Sequence, residues 1–176
     1  MSIEEHEEER RYREAAREEG RQGLFHASVL SLKPRPAVVV TPEESVAAAV
    51  ARMVAAGQGC VLVTGDGGRV AGIFTERDLL VRVVAKSLDP ARTPIRSVMT
   101  PDPECLRLDD TLGYALHKMT VGQYRSVPVA DEDGRPVGVL TQQEGVKALA
   151  SLFPAAVFNQ PPRSFEQKPP RHRYGG

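Results

Sequence analysis

The chain has 176 residues with 23 basic and 23 acidic side chains, 41% hydrophobic residues, two cysteines and no tryptophan. That length suits one ordinary domain or two small ones sharing a core, and the composition is globular rather than disordered. Zero formal charge argues against a nucleic-acid partner, which needs cation density to displace counterions, and no apolar run approaches the roughly 20 residues that span a bilayer.

In chain order, residues 1–23 hold eight acids and five arginines. Opposite charges at i,i+4 in Glu7–Arg11 and Glu9–Arg13 predict a charged N-terminal helix, either free in solvent or docked on a partner. Its opening, MSIEEHEEERR, contains no secretory apolar region, so the cytoplasm is the expected compartment and no membrane association is expected. Val38-Val39-Val40 then predicts a short strand. Thr41-Pro42-Glu43-Glu44 reads as a helix start, with Thr41 as N-cap, Pro42 in the first helical position and Glu44 completing a capping box. Val46, Ala49, Val50, Met53 and Val54 recur with helical spacing, and glycine at Gly57 closes the helix. Strands are expected at Cys60–Thr64 and Arg69–Phe74, joined by the tight turn Gly65-Asp66-Gly67-Gly68. A second helix is expected over 76–87.

The same order then recurs. A shift of 66 residues aligns 36–83 with 102–149 without a gap, matching Met53 to Met119, Gly72 to Gly138 and Thr75 to Thr141. The second unit has a helix stripe of Leu112, Ala115, Leu116 and Met119 ended by Gly122. Strands follow at Ser126–Ala130 and Pro136–Leu140, then a helix over 142–152. Two β-α-β-β-α units, neither able to bury its sheet alone, predict an α/β fold in which they pack sheet to sheet. The boundaries fall at 24–90 and 91–152. Residues 153–176, rich in proline and basic side chains, read as a flexible, disordered tail.

Chemistry is concentrated at the two strand-to-helix junctions, Gly72-Ile73-Phe74-Thr75-Glu76-Arg77-Asp78 and Gly138-Val139-Leu140-Thr141-Gln142-Gln143-Glu144. A threonine opening a helix with a carboxylate three residues later is itself a capping box. The same geometry offers free N–H groups to a phosphate and a carboxylate to the two hydroxyls of a ribose. Both readings stand at this level. No hydrolase elbow, P-loop, zinc-protease or paired-cysteine motif occurs, so no catalytic residue is assigned and no enzyme is expected. Cys60 and Cys105 fall at expected strand starts and read as small core residues. His117 reads as a surface position.

The Gly-x-x-Thr-x-x-Asp junction, the tandem repeat and the stretch Arg96-Ser97-Val98-Met99-Thr100 before the second copy resemble a cystathionine-β-synthase-type (CBS) domain pair, or Bateman module, over residues 27–152. The resemblance implies a pseudo-two-fold pair with two clefts that bind adenosine compounds: AMP, ADP, ATP, S-adenosylmethionine or NAD(H). It also implies a homodimer. Carried over by position, the first cleft would use Thr75 and Asp78, with Asp78 on the ribose. It would add Met99, Thr100 and Pro101 from the linker, Ser126 at the start of a strand, and Arg125 as the phosphate partner. Arg77 can reach the same anion.

The second cleft departs from that pattern. Thr141 is followed by Glu144 rather than aspartate, and Gly59 and Cys60 stand where the first cleft has Arg125 and Ser126. Lys33 and Arg35 are the cations that would substitute, so the second site is expected to be the weaker. The implied function is a regulatory sensor of an adenosine ligand, with no catalytic cofactor and with its regulated protein partner on a separate chain, touched by the charged head and Pro-rich tail. The alternative is a ligand-free dimerisation scaffold in which both boxes are only helix caps.

Overall fold

The computed structural model describes residue 23 and residues 25–151; all but the last residue of the expected head and the whole of the expected tail lie outside them. The elements are β1 (Arg35–Pro36), β2 (Val39–Val40), α1 (Val46–Ala56), β3 (Cys60–Thr64), β4 (Val70–Thr75), α2, β5 (Thr100–Pro101), α3 (Leu112–Val121), β6 (Ser126–Ala130), β7 (Pro136–Thr141) and α4 (Gln142–Ser151). Helix α2 begins with the α turn Glu76–Asp78 and continues as a π-helix over Leu79–Val84. It stops three residues short of the expected end, and Ser87 beyond it takes a left-handed conformation. No helix among the described residues is long and apolar enough to cross a membrane.

The strand expectations hold to within a residue, with Cys60–Thr64 and Ser126–Ala130 as read and Val70–Thr75 and Pro136–Thr141 moved or extended by one. The start of α1 is different. Residues 41–44 form a β-turn closed by the Glu44 N–H on the Thr41 carbonyl at 3.2 Å, with Pro42 at its second position. Glu44 accepts from the Thr41 N–H at 2.9 Å, so the box is made, but it caps a turn. The helix starts one turn later, where Ser45 accepts from the Ala48 N–H. Thr111, the position equivalent to Ser45, caps α3 on Tyr114 in the same way. At the C-termini, Gly57 takes the left-handed cap at φ 61°, whereas Gly122 stays right-handed and its successor Gln123, the true equivalent of Gly57, is left-handed at φ 54°. In the α1 stripe Val46, Ala49 and Met53 are buried, but Val54 faces solvent.

The two sheets exchange their leading strands. One sheet runs β2-β3-β4-β5 and the other β1-β7-β6. Strand β5, which precedes the second repeat in the chain, pairs antiparallel with β4 of the first through Gly72↔Pro101 and Ile73↔Thr100. Strand β1, which precedes the first repeat, pairs with β7 of the second through Arg35↔Val139 and Pro36↔Gly138. The glycine shared by both junctions marks where the crossing strand passes closest. A Cβ on Gly72 would lie 2.3 Å from the Met99 sulfur, and one on Gly138 would lie 2.8 Å from the Arg35 carbonyl oxygen. Each repeat's core is completed by the exchanged segment. Ile95 and Val98 join Val46, Met53 and Phe74, while Val29 joins Ala115, Met119 and Leu140. A third cluster of Cys60, Leu62, Ile73 and Val139 draws on both sheets and is the apolar contact between the repeats.

Candidate functional site

The first junction is a complete capping box. Asp78 Oδ2 accepts from the Thr75 hydroxyl at 2.7 Å and the Thr75 N–H at 2.9 Å, while the Asp78 N–H donates to the Thr75 hydroxyl at 3.3 Å. Asp78 is the only charged side chain among the described residues to be buried, at 8% exposure. Its second oxygen, Oδ1, faces Arg82 Nε at 3.3 Å. Arg82 Nη1 in turn donates to the carbonyls of Val98, at 3.1 Å, and Met99. The carboxylate is therefore tied to the exchanged linker that continues into β5.

These contacts gather Thr75, Asp78, Met99, Thr100 and Pro101 on one edge of the first sheet. Ser126 joins them indirectly: Cys60 pairs with Thr75 across β3 and β4, and the Ser126 hydroxyl lies against the Cys60 thiol. Burial pushes that thiol above its ordinary range; the Ser126 hydrogen bond opposes this, and the negative charge of Glu76 reinforces it. Arg125, just before β6, is exposed, and its carbonyl accepts from the Gln142 N–H at 2.9 Å. Neither its guanidinium nor that of Arg77 makes an ion pair with another described residue. Arg82 is the residue that the sequence reading missed. Its i+4 spacing from Asp78 signals the ion pair but not the linker carbonyls it also holds.

The second junction is built from different parts. Glu144 Oε2 accepts from the Thr141 N–H at 3.1 Å and from the Thr141 hydroxyl. Its other oxygen accepts from Arg35 Nε at 2.9 Å, and Arg35 also donates to Gln143 at 2.6 Å. Arg35, expected as a stand-in phosphate cation, thus already holds the helix-start carboxylate. Burial pushes the Glu144 carboxyl up, but the Thr141 hydroxyl, then the hydrogen bond and charge of Arg35, outweigh it and leave the group below its ordinary value. Lys33 is exposed, with a left-handed backbone at φ 53°. The Glu76 carboxylate covers Gly59, within 3.3 Å of where a Cβ would stand. Where the first cleft presents Arg125, the second therefore presents an acid.

Cys105 is exposed and lies outside any strand, contrary to expectation, while Cys60 is buried at the start of β3. A shallow cavity of about 370 Å³ lies at the far end of the sheets, between the hairpin turns, lined by Arg69, Cys105, Arg107 and Asp131 among others. It contains none of the junction residues. Among the described residues no group of His, Cys, Asp and Glu is placed to hold a metal ion.

The CBS domain family model matches residues 31–85 and 95–151. The chain belongs to the CBS-domain family. It is 40% identical over 96 residues to the CBS domain-containing protein CBSCBSPB3 of Arabidopsis thaliana, an alignment covering 54% of this chain and 17% of that protein. The chain thus spans about a sixth of the length of that plant relative. Among solved structures, a CBS-domain protein of Agrobacterium tumefaciens superposes with a TM-score of 0.63 at 33% identity, covering 70% of this chain and 99% of its own. A CBS domain protein of Pyrobaculum aerophilum, complexed with AMP, superposes with a TM-score of 0.64 at 25% identity, covering 73% and 100%. The tandem CBS pair that the junction, the repeat and residues 96–100 resemble is the observed fold, and an AMP complex occurs among its structural relatives.

Proposed function

We propose that this CBS pair is a cytoplasmic regulatory module that binds an adenosine-containing ligand (AMP, ADP, ATP, S-adenosylmethionine or NAD(H)) in the cleft built on Thr75 and Asp78. The observation that carries this reading is the buried Asp78 carboxylate at a helix start, with the exchanged linker alongside. A carboxylate there accepts ribose hydroxyls, the helix N-terminus favours an anion, and Arg125 and Arg77 carry guanidinium groups free of described carboxylates. The AMP-bound relative supports the ligand class. Exposed Val54, Leu80, Val81 and Val84 on α1 and α2 support a homodimer. The role proposed for this CBS pair is regulatory rather than catalytic.

One observation favours a second reading. Thr75 and Asp78 satisfy each other without a ligand, as they would in a dimerisation scaffold whose boxes are only caps. A thermal-shift screen of wild type and Asp78→Ala against AMP, ADP, ATP, S-adenosylmethionine and NADH separates the two. A ligand at 100 times its dissociation constant adds about 2.7 kcal/mol, which for a chain of this size is a rise of roughly 5–11 °C. The sensor predicts that rise in wild type and its loss in the variant. The scaffold predicts no rise in either protein, and a variant less stable by about 1 kcal/mol.

A further inference from the structure

Arg82 stands outside the threonine–aspartate junction and outside every residue so far assigned to ligand, yet it makes the only side-chain link between Asp78 and the linker among the described residues. We propose that Arg82 is a positioning residue that couples the Asp78 carboxylate to the linker segment Val98–Pro101, so that a ribose seated on Asp78 is read out in the strand leading to the second repeat. This proposal rests on the ligand site proposed above and deepens it by naming how occupancy leaves the site.

The two oxygens of Asp78 are not equivalent. Oδ2 already takes two donors from Thr75, at 2.7 and 2.9 Å. Oδ1 faces only Arg82 Nε, at 3.3 Å, which is longer than the roughly 2.7–2.9 Å of a well-formed charge-assisted hydrogen bond. Oδ1 is therefore the oxygen with room for an incoming hydroxyl, and the hydroxyl competes there with Arg82. The guanidinium cannot yield Nε without moving Nη1, because the group is planar and rigid. Nη1 holds the Val98 and Met99 carbonyls. The next two residues, Thr100 and Pro101, form β5, and the chain runs on to the second repeat. A change at Oδ1 is thereby passed to the Val98 and Met99 carbonyls, and among the described residues no other side-chain hydrogen bond or ion pair joins that segment to Asp78.

The second cleft lacks this device. The position equivalent to Arg82 is Ala148, and there the arginine comes from the exchanged strand itself, as Arg35, and ends on the helix-start carboxylate. Both linkers are tied to a junction by an arginine, but only the first tie leaves a carboxylate oxygen loosely held.

Amide hydrogen exchange at Met99 and Asp102, whose N–H groups bond to Ile95 and Ala71, tests the coupling. It is read first in the ligand-free protein. Asp78→Asn and Arg82→Gln should each speed exchange at these amides, the double variant should add nothing beyond the larger single effect, and Glu144→Gln should change neither amide. AMP is then added. Wild type should show altered exchange at Met99 and Asp102, while Arg82→Gln, which removes the competitor at Oδ1, should bind AMP roughly fivefold or more tightly and, once saturated, show no change at these amides. Melting of every variant and exchange within β6 and β7 control for the fold. Additive effects of the two single variants overturn the coupling, as does an undiminished AMP response at the linker in Arg82→Gln. If wild type binds no adenosine compound, the proposed function fails, while the ligand-free arm still decides whether Arg82 couples Asp78 to the linker.

Discussion

Substituting alanine at the two junction glycines separates backbone from side-chain crowding. At Gly138 the added Cβ would sit 2.8 Å from the Arg35 carbonyl oxygen, on β1 backbone that is bonded to β7, and 3.0 Å from the Pro34 Cβ, in the rigid proline ring just before β1. Neither atom can swing aside, so β1 must retreat by several tenths of an ångström. At Gly72 the close atoms are Sδ, Cε and Cγ of Met99, at 2.3, 3.0 and 3.1 Å, all in one flexible side chain. That side chain can repack at a smaller cost. Overpacking of the Gly138 kind costs about 1–3 kcal/mol, and alanine returns about 0.4–1 kcal/mol through the unfolded chain wherever the backbone geometry tolerates it. Gly138→Ala should therefore melt lower than wild type by several degrees, at roughly 2–4 °C per kcal/mol, whereas Gly72→Ala should stay within about 1 kcal/mol of wild type. Differential scanning calorimetry of the three proteins at one pH reads the order directly. Equal losses, or a larger loss for Gly72→Ala, would refute the claim that β1 crosses Gly138 on unyielding backbone.

Further outcomes follow from the caps and the second junction. Glu144 is held below its ordinary value, so its ionised form stabilises the fold above the unfolded-state value near 4.5, and that stability is lost as pH falls through the lower folded value. Glu144→Gln should flatten the acid limb of the stability–pH curve below about pH 5; an unchanged limb in urea titrations would remove Arg35–Glu144 as its source. Ser45→Ala, which deletes the α1 cap, should cost about 1 kcal/mol, and Thr41→Ala clearly less, because its hydroxyl touches Glu44 only at 3.4 Å and serves a turn. A larger loss for Thr41→Ala in denaturant unfolding would return the helix start to Thr41.

Much of this fold was legible because the repeat supplied two readings of each element. Strand edges marked by valine runs and glycine turns were found to within a residue, as was the helix start at Thr75 and Thr141. Thr41 misled because the same Thr-Pro-x-Glu chemistry serves a β-turn as well as a helix, and Ser45 four residues on is an equally good cap. Gly122 misled for a related reason: glycine marks the neighbourhood of a helix end, but the left-handed position is set by register and fell on Gln123. The exchange of β1 and β5 left no local signal. It is visible only in Gly72 and Gly138, whose missing side chains admit the crossing strands. Within the site, Thr75, Asp78 and the linker residues were legible from the motif. The Arg82 tie was not, because its acceptors are carbonyls 16 and 17 residues away that no pattern of side chains reveals.

The central claim is that one cleft, built on Asp78, takes an adenosine ligand and the Glu144 cleft does not. Isothermal titration of wild type, Asp78→Ala and Glu144→Ala with AMP tests it most directly. The account predicts one AMP per chain in wild type, the same stoichiometry in Glu144→Ala, and no measurable binding in Asp78→Ala while that protein remains folded. Two equal sites per chain, or binding that survives in Asp78→Ala and disappears in Glu144→Ala, would contradict it.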